Sequence, residues 1–295
     1  MPISHLLLAV LVAVIWGINF LFVKLSLEEM PPLLLCATRF FLASVPAIFF
    51  VKLPNAPFRM VALYGLVMFA LQFGLLFIGM YAGMTPGMAS LIMQVQIFFS
   101  IFFAAIFLGE IPCIWQITGA LVSFAGIGIV AMHFDQHVSL IGFVFILAAA
   151  ATWGVGNLIT KKLQRVNMMA LVVWGSLVAC LPMLILSLLY EGTQGIVMAY
   201  HQISWLGVSA ILYIVYVSTW VGYGVWNWLV SRYPVNRVVP FTLLVPVVGL
   251  LSSIIVLGEP LQVWKLIAGL LVVGGLGINL LGMHLFTKKM EVEVY

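Results

Sequence analysis

Charge is scarce in this sequence. Of 295 residues, 12 are Lys or Arg and 8 are Asp or Glu, together 7%. A soluble domain carries about 25%, and a globule of this size needs that charge to stay in water. A cytosolic enzyme, a nucleic-acid binder and a disordered chain are thereby excluded. Paired cysteines are missing as well. Cys36, Cys113 and Cys180 show no paired spacing, so they form neither a disulfide framework nor a zinc site and read as small apolar residues. The strict alternation of a membrane β-barrel is also absent.

What remains is apolar. Hydrophobic residues make up 65% of the chain, and the mean hydropathy is +1.25. The fold class this implies is all-α, a polytopic membrane protein. Ten apolar runs of about 20 residues are separated by short polar breaks. They cover Ile3–Val23, Pro32–Phe50, Met60–Tyr81, Met84–Phe107, Ile114–Met132, Leu140–Ile159, Met168–Leu189, Ile203–Val230, Val238–Val256 and Leu261–Leu285. They leave no room for a soluble domain. The first run has no basic leader and no small-residue cleavage site, so it reads as a retained helix.

The basic residues orient the chain. With the N-terminus in the cytoplasm, the inner breaks hold Lys52, Arg59, Lys161, Lys162, Arg165, Arg232, Arg237, Lys288 and Lys289. The outer breaks hold only Lys24 and Lys265. This positive-inside bias places both termini in the cytoplasm. It also accounts for the pI near 9.0 without any nucleic acid.

The two halves repeat. Trp16, Gly17 and Lys24 match Trp153, Gly154 and Lys161 at an offset of 137. Leu108-Gly109-Glu110, Trp115, Gly126 and Gly128 match Leu257-Gly258-Glu259, Trp264, Gly275 and Gly277 at an offset of 149. The 12-residue difference falls most simply in the break 191–202. The expected organisation is a first repeat over 1–134, a second over 138–286, and a cytoplasmic tail over 287–295. Each repeat holds five runs, an odd number, so ten transmembrane helices form two inverted five-helix repeats. That is the pattern of a secondary transporter with a site between the repeats. Duplication also builds channels, but a channel needs a charged ring or a carbonyl filter, and none is evident.

With those repeats stand further motifs. They are Trp16-Gly17-Ile18-Asn19-Phe20, Pro31-Pro32 with Arg39-Phe40, Pro86-Gly87-Met88-Ala89-Ser90-Leu91 with Gln94, Gly222-Tyr223-Gly224-Val225-Trp226, and 243–250. In this ordered set the chain resembles the EamA family of drug/metabolite transporters over nearly its whole length. The resemblance implies an inner-membrane exporter of small amino-acid-like metabolites. The 31–40 and 244–250 stretches resemble those of family members that export cysteine and O-acetylserine, and that resemblance implies these as lead substrates. Another amino acid, such as threonine or an aromatic one, or a drug-like toxic metabolite is the alternative.

Several residues are candidates for binding substrate. Arg39 lies roughly 10 Å inside the second run at 1.5 Å per residue. A charge there costs about 2.5–3.5 kcal/mol on insertion scales. It either grips a substrate carboxylate through two parallel N–H···O bonds or serves structure, by reaching the interface or bonding backbone carbonyls. Its repeat counterpart is Ser176. Tyr213, Tyr216, Trp220 and Tyr223 follow one another at three, four and three residues, with Asn227 four further on. That spacing predicts one α-helical face, lining a cavity where aromatic rings meet an ammonium group, or else packing helices. Trp16, Asn19, Gln72, Ser90, Gln94, Gln96 and Asn157 place polar groups inside apolar runs, where each needs a partner. Cavity lining and interhelical hydrogen bonding both answer that need.

Glu110 and Glu259 stand beside prolines between runs and read as helix caps, satisfying free N–H groups at a helix start. Pro240 and Pro246 are expected to break the ninth run. His133, Asp135 and His137 lack a fourth ligand for a metal, and no cofactor is expected. None of the eight acids lies mid-run, so facilitated export or exchange is favoured over proton coupling, and enzymatic catalysis lacks its groups. The partners implied are membrane lipid and a small-molecule substrate. Monomer and homodimer both stay open, with Gly79, Gly83 and Gly87 spaced to let helices approach closely.

Overall fold

Backbone in hydrocarbon has no water to bond, so each apolar run closes its own N–H and C=O groups into a helix. A computed structural model of the chain describes residues 1–134, 138–163, 166–233 and 238–293. It shows α1 (Ile3–Leu27), α2 (Pro32–Ile48), α3 (Phe58–Tyr81), α4 (Pro86–Leu108), α5 (Ile114–Ala131), α6 (Leu140–Lys162) and α7 (Met168–Tyr190). There follow α8 (Gly192–Gln202), α9 (205–232), α10 (Phe241–Leu257) and α11 (Val263–Glu293). Eight of these are long and apolar enough to cross a membrane; α2 and α10 are apolar but shorter. Among the described residues there is no strand, only an isolated antiparallel bridge between Met84 and Val138. Asp135, His137, Arg165 and Arg237 lie outside the described residues, as do the side chains of Asn227, Lys288 and Lys289.

The extra residues of the second half form α8, a short helix with few buried residues, where the two repeat offsets part. Around it the packing obeys the repeat. α1 packs on α10 as α6 packs on α4, and α3 packs on α6 as α9 packs on α1. α2 meets α7, and α5 meets α11. Close approach is possible because the crossing residues are small. A Cβ on Gly17 would lie 2.6 Å from Val248 Cβ, and one on Gly154 would lie 2.9 Å from Phe99 Cβ. Val248 and Phe99 are themselves repeat mates. At the α5–α11 seam the Ser123 hydroxyl donates to the Val272 carbonyl at 3.0 Å, and these two residues are also mates. Gly79 and Gly87 are used within the chain, against Gly142 and Leu250 respectively, and Gly83 takes a positive φ of 105° in the turn after α3.

Irregularities repeat too. An i→i+5 stretch widens α3 at Gly65–Leu71, and another widens α9 at Tyr213–Gly222. The first, shifted by 149, falls inside the second. α4 is interrupted at Gln94–Val95, where N–H groups reach back only three residues, to Leu91 and Ile92. The mate of that break is the junction in α10 between a 3₁₀ stretch, Val239–Leu243, and an α segment, Leu244–Leu257. The break in α10 thus lies between Pro240 and Pro246. Pro246 occupies the third position of the α segment, where an N–H has no intrahelical partner to lose.

The Leu-Gly-Glu motif has a local cause. Gly109 and Gly258 end α4 and α10 at φ of 67° and 64°, the left-handed conformation that glycine adopts without strain. Among the described residues the two glutamates are seen with side-chain partners rather than helix N–H groups. The start of α5 is served by Gln116, whose side chain accepts from the Cys113 N–H at 2.9 Å; Glu110 and Glu259 instead take lysine partners. Capping by carboxylate does occur, from other residues. Pro31 at the head of α2 offers no capping oxygen, and Glu191 at the end of α7 accepts from the Leu33 and Leu34 N–H groups at 2.6 and 2.9 Å. Glu29 does the same for the Ser204 N–H before α9, at 2.7 Å. Glu191→Ala is expected to lower stability by about 1–2 kcal/mol, the worth of a good cap. Thermal unfolding of the purified protein in detergent checks this.

Candidate functional site

Three neighbouring chambers that share lining residues lie among the helices, walled mainly by α1, α2, α3, α4, α6, α9 and α10. The deepest, about 120 Å³, is bounded by Trp16, Asn19, Arg39, Gln94, Ser218 and Tyr223, among others. A wider one of about 510 Å³ shares Trp16, Gln96, Trp153, Tyr223 and Thr242 with it and adds Tyr64, Asn157 and Trp226. The third, about 480 Å³, shares Ser100, Ile101, Gln116 and Asn157 with the second and ends at Glu110 and Lys161.

Arg39 is the charged side chain of the deep chamber. Its guanidinium carbon stands 4.1 Å from the centre of the Phe73 ring, with Phe40 and Phe77 beyond at 5.7 and 5.9 Å. Nη2 donates to Thr219 Oγ1 at 3.2 Å. Nε and Nη1 have no partner, and the residue is 2% exposed. Asn19, on the facing helix, carries an unpartnered Oδ1. A buried cation with two free donors is costly, and no carboxylate lines either of the inner chambers.

The widened turn of α9 serves this site. Thr219 Oγ1 donates to the Ile214 carbonyl five residues back, at 3.0 Å, and turns toward Arg39. The Ser218 carbonyl, inside the widened stretch, accepts from Trp16 Nε1 at 3.1 Å. Trp16 is held between Tyr223 and Trp226, with ring centres 5.4 and 5.3 Å away. Asn157 ties α6 to α4, donating to Gln96 Oε1 at 3.2 Å and to Ser100 Oγ at 2.8 Å. It lines the cavity and bridges helices at once.

Trp16, Asn19, Arg39, Gln94, Asn157 and Tyr223 are therefore brought together. Five other candidates are not. Tyr213 donates to the Ile15 carbonyl at 3.0 Å and stacks on Phe22. Trp220 donates to the Ala43 carbonyl at 3.1 Å, with the Tyr216 ring edge-on to it. The single aromatic face assumed a 3.6-residue turn, and the i→i+5 stretch does not keep that register. Ser90 donates to the Gly87 carbonyl at 2.8 Å and presses against Gly249. Gln72 is fully buried away from the three chambers. Conversely, Trp153, Tyr64 and Thr242 line the cavity without having been candidates, and Gln96, one of the polar residues inside an apolar run, lines it too. Trp153 was accessible through the repeat as the mate of Trp16. Gln96 joins Gln94 because the break at Gln94–Val95 abandons helical spacing.

Two segments of the chain, residues 3–132 and 140–281, match the EamA-like transporter family. The chain belongs to that family. It is 40% identical over 283 residues to a probable amino-acid metabolite efflux pump of Salmonella typhimurium, covering 94% of this chain and 95% of that one. An Escherichia coli protein of the same description is 39% identical over 285 residues, with the same coverage. An uncharacterized transporter of Bacillus subtilis is 29% identical over 282 residues, covering 92% and 88%. A solved structure, described only as a crystal structure of a protein, shares the fold with a TM-score of 0.61 at 18% identity, covering 95% of this chain and 98% of that one. This EamA chain is thus a multi-pass membrane transporter.

Its two ends differ. At one, Glu110 and Lys161 form an ion pair with both side chains about half exposed, at 49% and 47%. At the other, Glu259 and Lys265 pair at 2.8 Å with 3% and 2% exposure. Glu110 and Glu259 are repeat mates in unlike surroundings. Their neighbours agree. Gly249 and Leu250 of α10 are pressed against Ser90 and Gly87 of α4, whereas their mates, Ser100 and Ile101, face the open chamber.

Proposed function

We propose that this EamA chain exports small amino-acid-like metabolites across the bacterial inner membrane, with cysteine and O-acetylserine as the first substrates to try. Ten crossings form two inverted five-helix repeats, with repeat boundaries near 134 and 138 and both termini cytoplasmic. The basic residues that favour this orientation put the Glu110 end inside, so the state described above is open to the cytoplasm and shut to the periplasm.

One observation carries the reading: Gly249 and Ser100 occupy equivalent places in the repeats, and Gly249 is buried against Ser90 while Ser100 borders the cavity. A near-symmetric chain held asymmetrically has a second state in which the ends exchange roles, which is alternating access. In the site, Arg39 takes the substrate carboxylate through its free donors. Trp16 and Tyr223 meet the amino group with ring faces and hydroxyl, aided by Asn19, Gln94 and Asn157. The names of the Salmonella and Escherichia relatives support an amino-acid-like cargo.

Without an intramembrane acid at this site, transport runs down the substrate gradient or by exchange. In proteoliposomes preloaded with unlabelled cysteine, labelled cysteine is expected to accumulate transiently by counterflow, saturably and without a pH gradient. Unsaturable flux without counterflow overturns the carrier reading. Uphill accumulation driven by an imposed proton gradient overturns the uncoupled one.

A further inference from the structure

The closed end is fastened by chemistry that its mirror position lacks. Glu259 Oε1 accepts from Lys265 Nζ at 2.8 Å and from Thr85 Oγ1, also at 2.8 Å. Its other oxygen accepts from the Ser253 hydroxyl. Lys265 Nζ also donates to the Pro260 carbonyl at 3.3 Å. A buried ion pair is tolerable only when its remaining hydrogen-bonding sites are met, and here the carboxylate has three donors. Two of them, Lys265 and Ser253, belong to the second repeat. Thr85 alone comes from the first, as the last residue before α4. Close beside it, a Cβ on Gly87 would stand 3.3 Å from Glu259 Oε2 and 2.9 Å from Leu250 Cδ2. At the open end the mates of Lys265 and Ser253 are Gln116 and Ala104. There Glu110 pairs instead with Lys161 of the second repeat, both side chains half exposed, so a buried fastening with three donors is built at one end only.

We infer that Glu259, Lys265 and Thr85 form a periplasmic latch, in which the Glu259–Lys265 pair is the fixed part and the Thr85 hydrogen bond is the part broken in each transport cycle. This rests on the alternating-access reading. The three are positioning residues: none borders the deep chamber, and they act by setting how often it faces outward. Without the Thr85 hydroxyl the ion pair persists but the tie between repeats is gone. Without the Glu259 charge, Lys265 is left buried and unpaired, a state relieved only when water enters from outside.

The test is side-specific labelling. Ser218, which borders the deep chamber, is changed to Cys in a chain whose three native cysteines are replaced, and an impermeant maleimide is applied to right-side-out or inverted membrane vesicles. The parent is expected to label mainly from the cytoplasmic side. Thr85→Val should raise the rate of outside labelling about two- to tenfold, the population shift one hydrogen bond commands. Glu259→Gln should raise it by more than about tenfold. Glu259→Gln combined with Lys265→Met, which removes both charges, should return it to within about threefold of the parent. A merely structural role would alter protein yield without favouring one face. Unchanged outside labelling in Thr85→Val and Glu259→Gln, with inside labelling intact, overturns the latch alone. Labelling of the parent from neither face overturns the alternating-access reading and the latch with it.

Discussion

Arg39→Lys is expected to lose substrate transport almost as completely as Arg39→Leu. The guanidinium lies against the Phe73 ring, with Nη2 spent on Thr219 and Nε and Nη1 unpartnered. Two donors held in one plane suit a carboxylate, whereas an ammonium is a point charge that cannot present the same fork. Two charge-assisted hydrogen bonds at about 1.5–3 kcal/mol each amount to at least a hundredfold in affinity. Saturation of labelled cysteine counterflow measures that loss. The leucine variant has a second expected result: its thermal midpoint in detergent should equal or exceed that of the native protein. It removes a buried cation with no acidic partner and leaves an apolar side chain among Phe40, Phe73 and Phe77. A structural role for Arg39 predicts the reverse, with stability falling alongside transport. Arg39→Lys retaining half the native affinity would exclude the forked grip.

Gly275→Leu is expected to prevent a stable fold, while Gly277→Leu, two residues on, is expected to be nearly silent. A Cβ at Gly275 would meet the Gly119 carbonyl oxygen and the Ser123 hydroxyl, with the Ser123 nitrogen at 2.8 Å. The obstructing atoms are mostly backbone, so relief requires α5 and α11 to separate. Those helices hold together by close packing and by the Ser123–Val272 hydrogen bond, since lipid supplies no hydrophobic drive between helices. Overpacking commonly costs about 1–3 kcal/mol and more against rigid neighbours. At Gly277 nothing lies within 4 Å of the added atom. Both glycines belong to the repeated Gly-x-Gly pattern, so the contrast separates a packing requirement from a shared ancestry. Recovery of monodisperse protein, followed by thermal unfolding, measures it.

The helices and the duplication were readable in the sequence because each rests on short-range facts: run length, and identity at a fixed offset. Even the site of the 12-residue difference was readable, and α8 occupies it. The binding site was readable only where helices are regular. Trp16, Asn19 and Arg39 sit on uninterrupted α segments, and their depth follows from counting. Tyr213, Tyr216 and Trp220 stand away from the three chambers, since the i→i+5 stretch that carries them leaves no mark in hydrophobic periodicity. Gln94 and Gln96, two residues apart, reach one chamber because the break at Gln94–Val95 suspends helical spacing. For Glu110 and Glu259 the physics of carboxylates at helix starts was sound, but Glu191 and Glu29, from distant parts of the chain, do that work. Which end stands open cannot be read from either repeat alone, since it depends on how the two halves lean on each other.

The widened turn of α9 makes this helix unusually sensitive to chain length. One residue on a regular helix is worth about 100° of rotation. Deleting a single residue between 213 and 222 so as to restore ordinary coiling would swing everything beyond it by that angle. Tyr223 and Trp226 would turn away from Trp16. A span of unchanged composition and almost unchanged length would then thread the bilayer with its working side facing lipid.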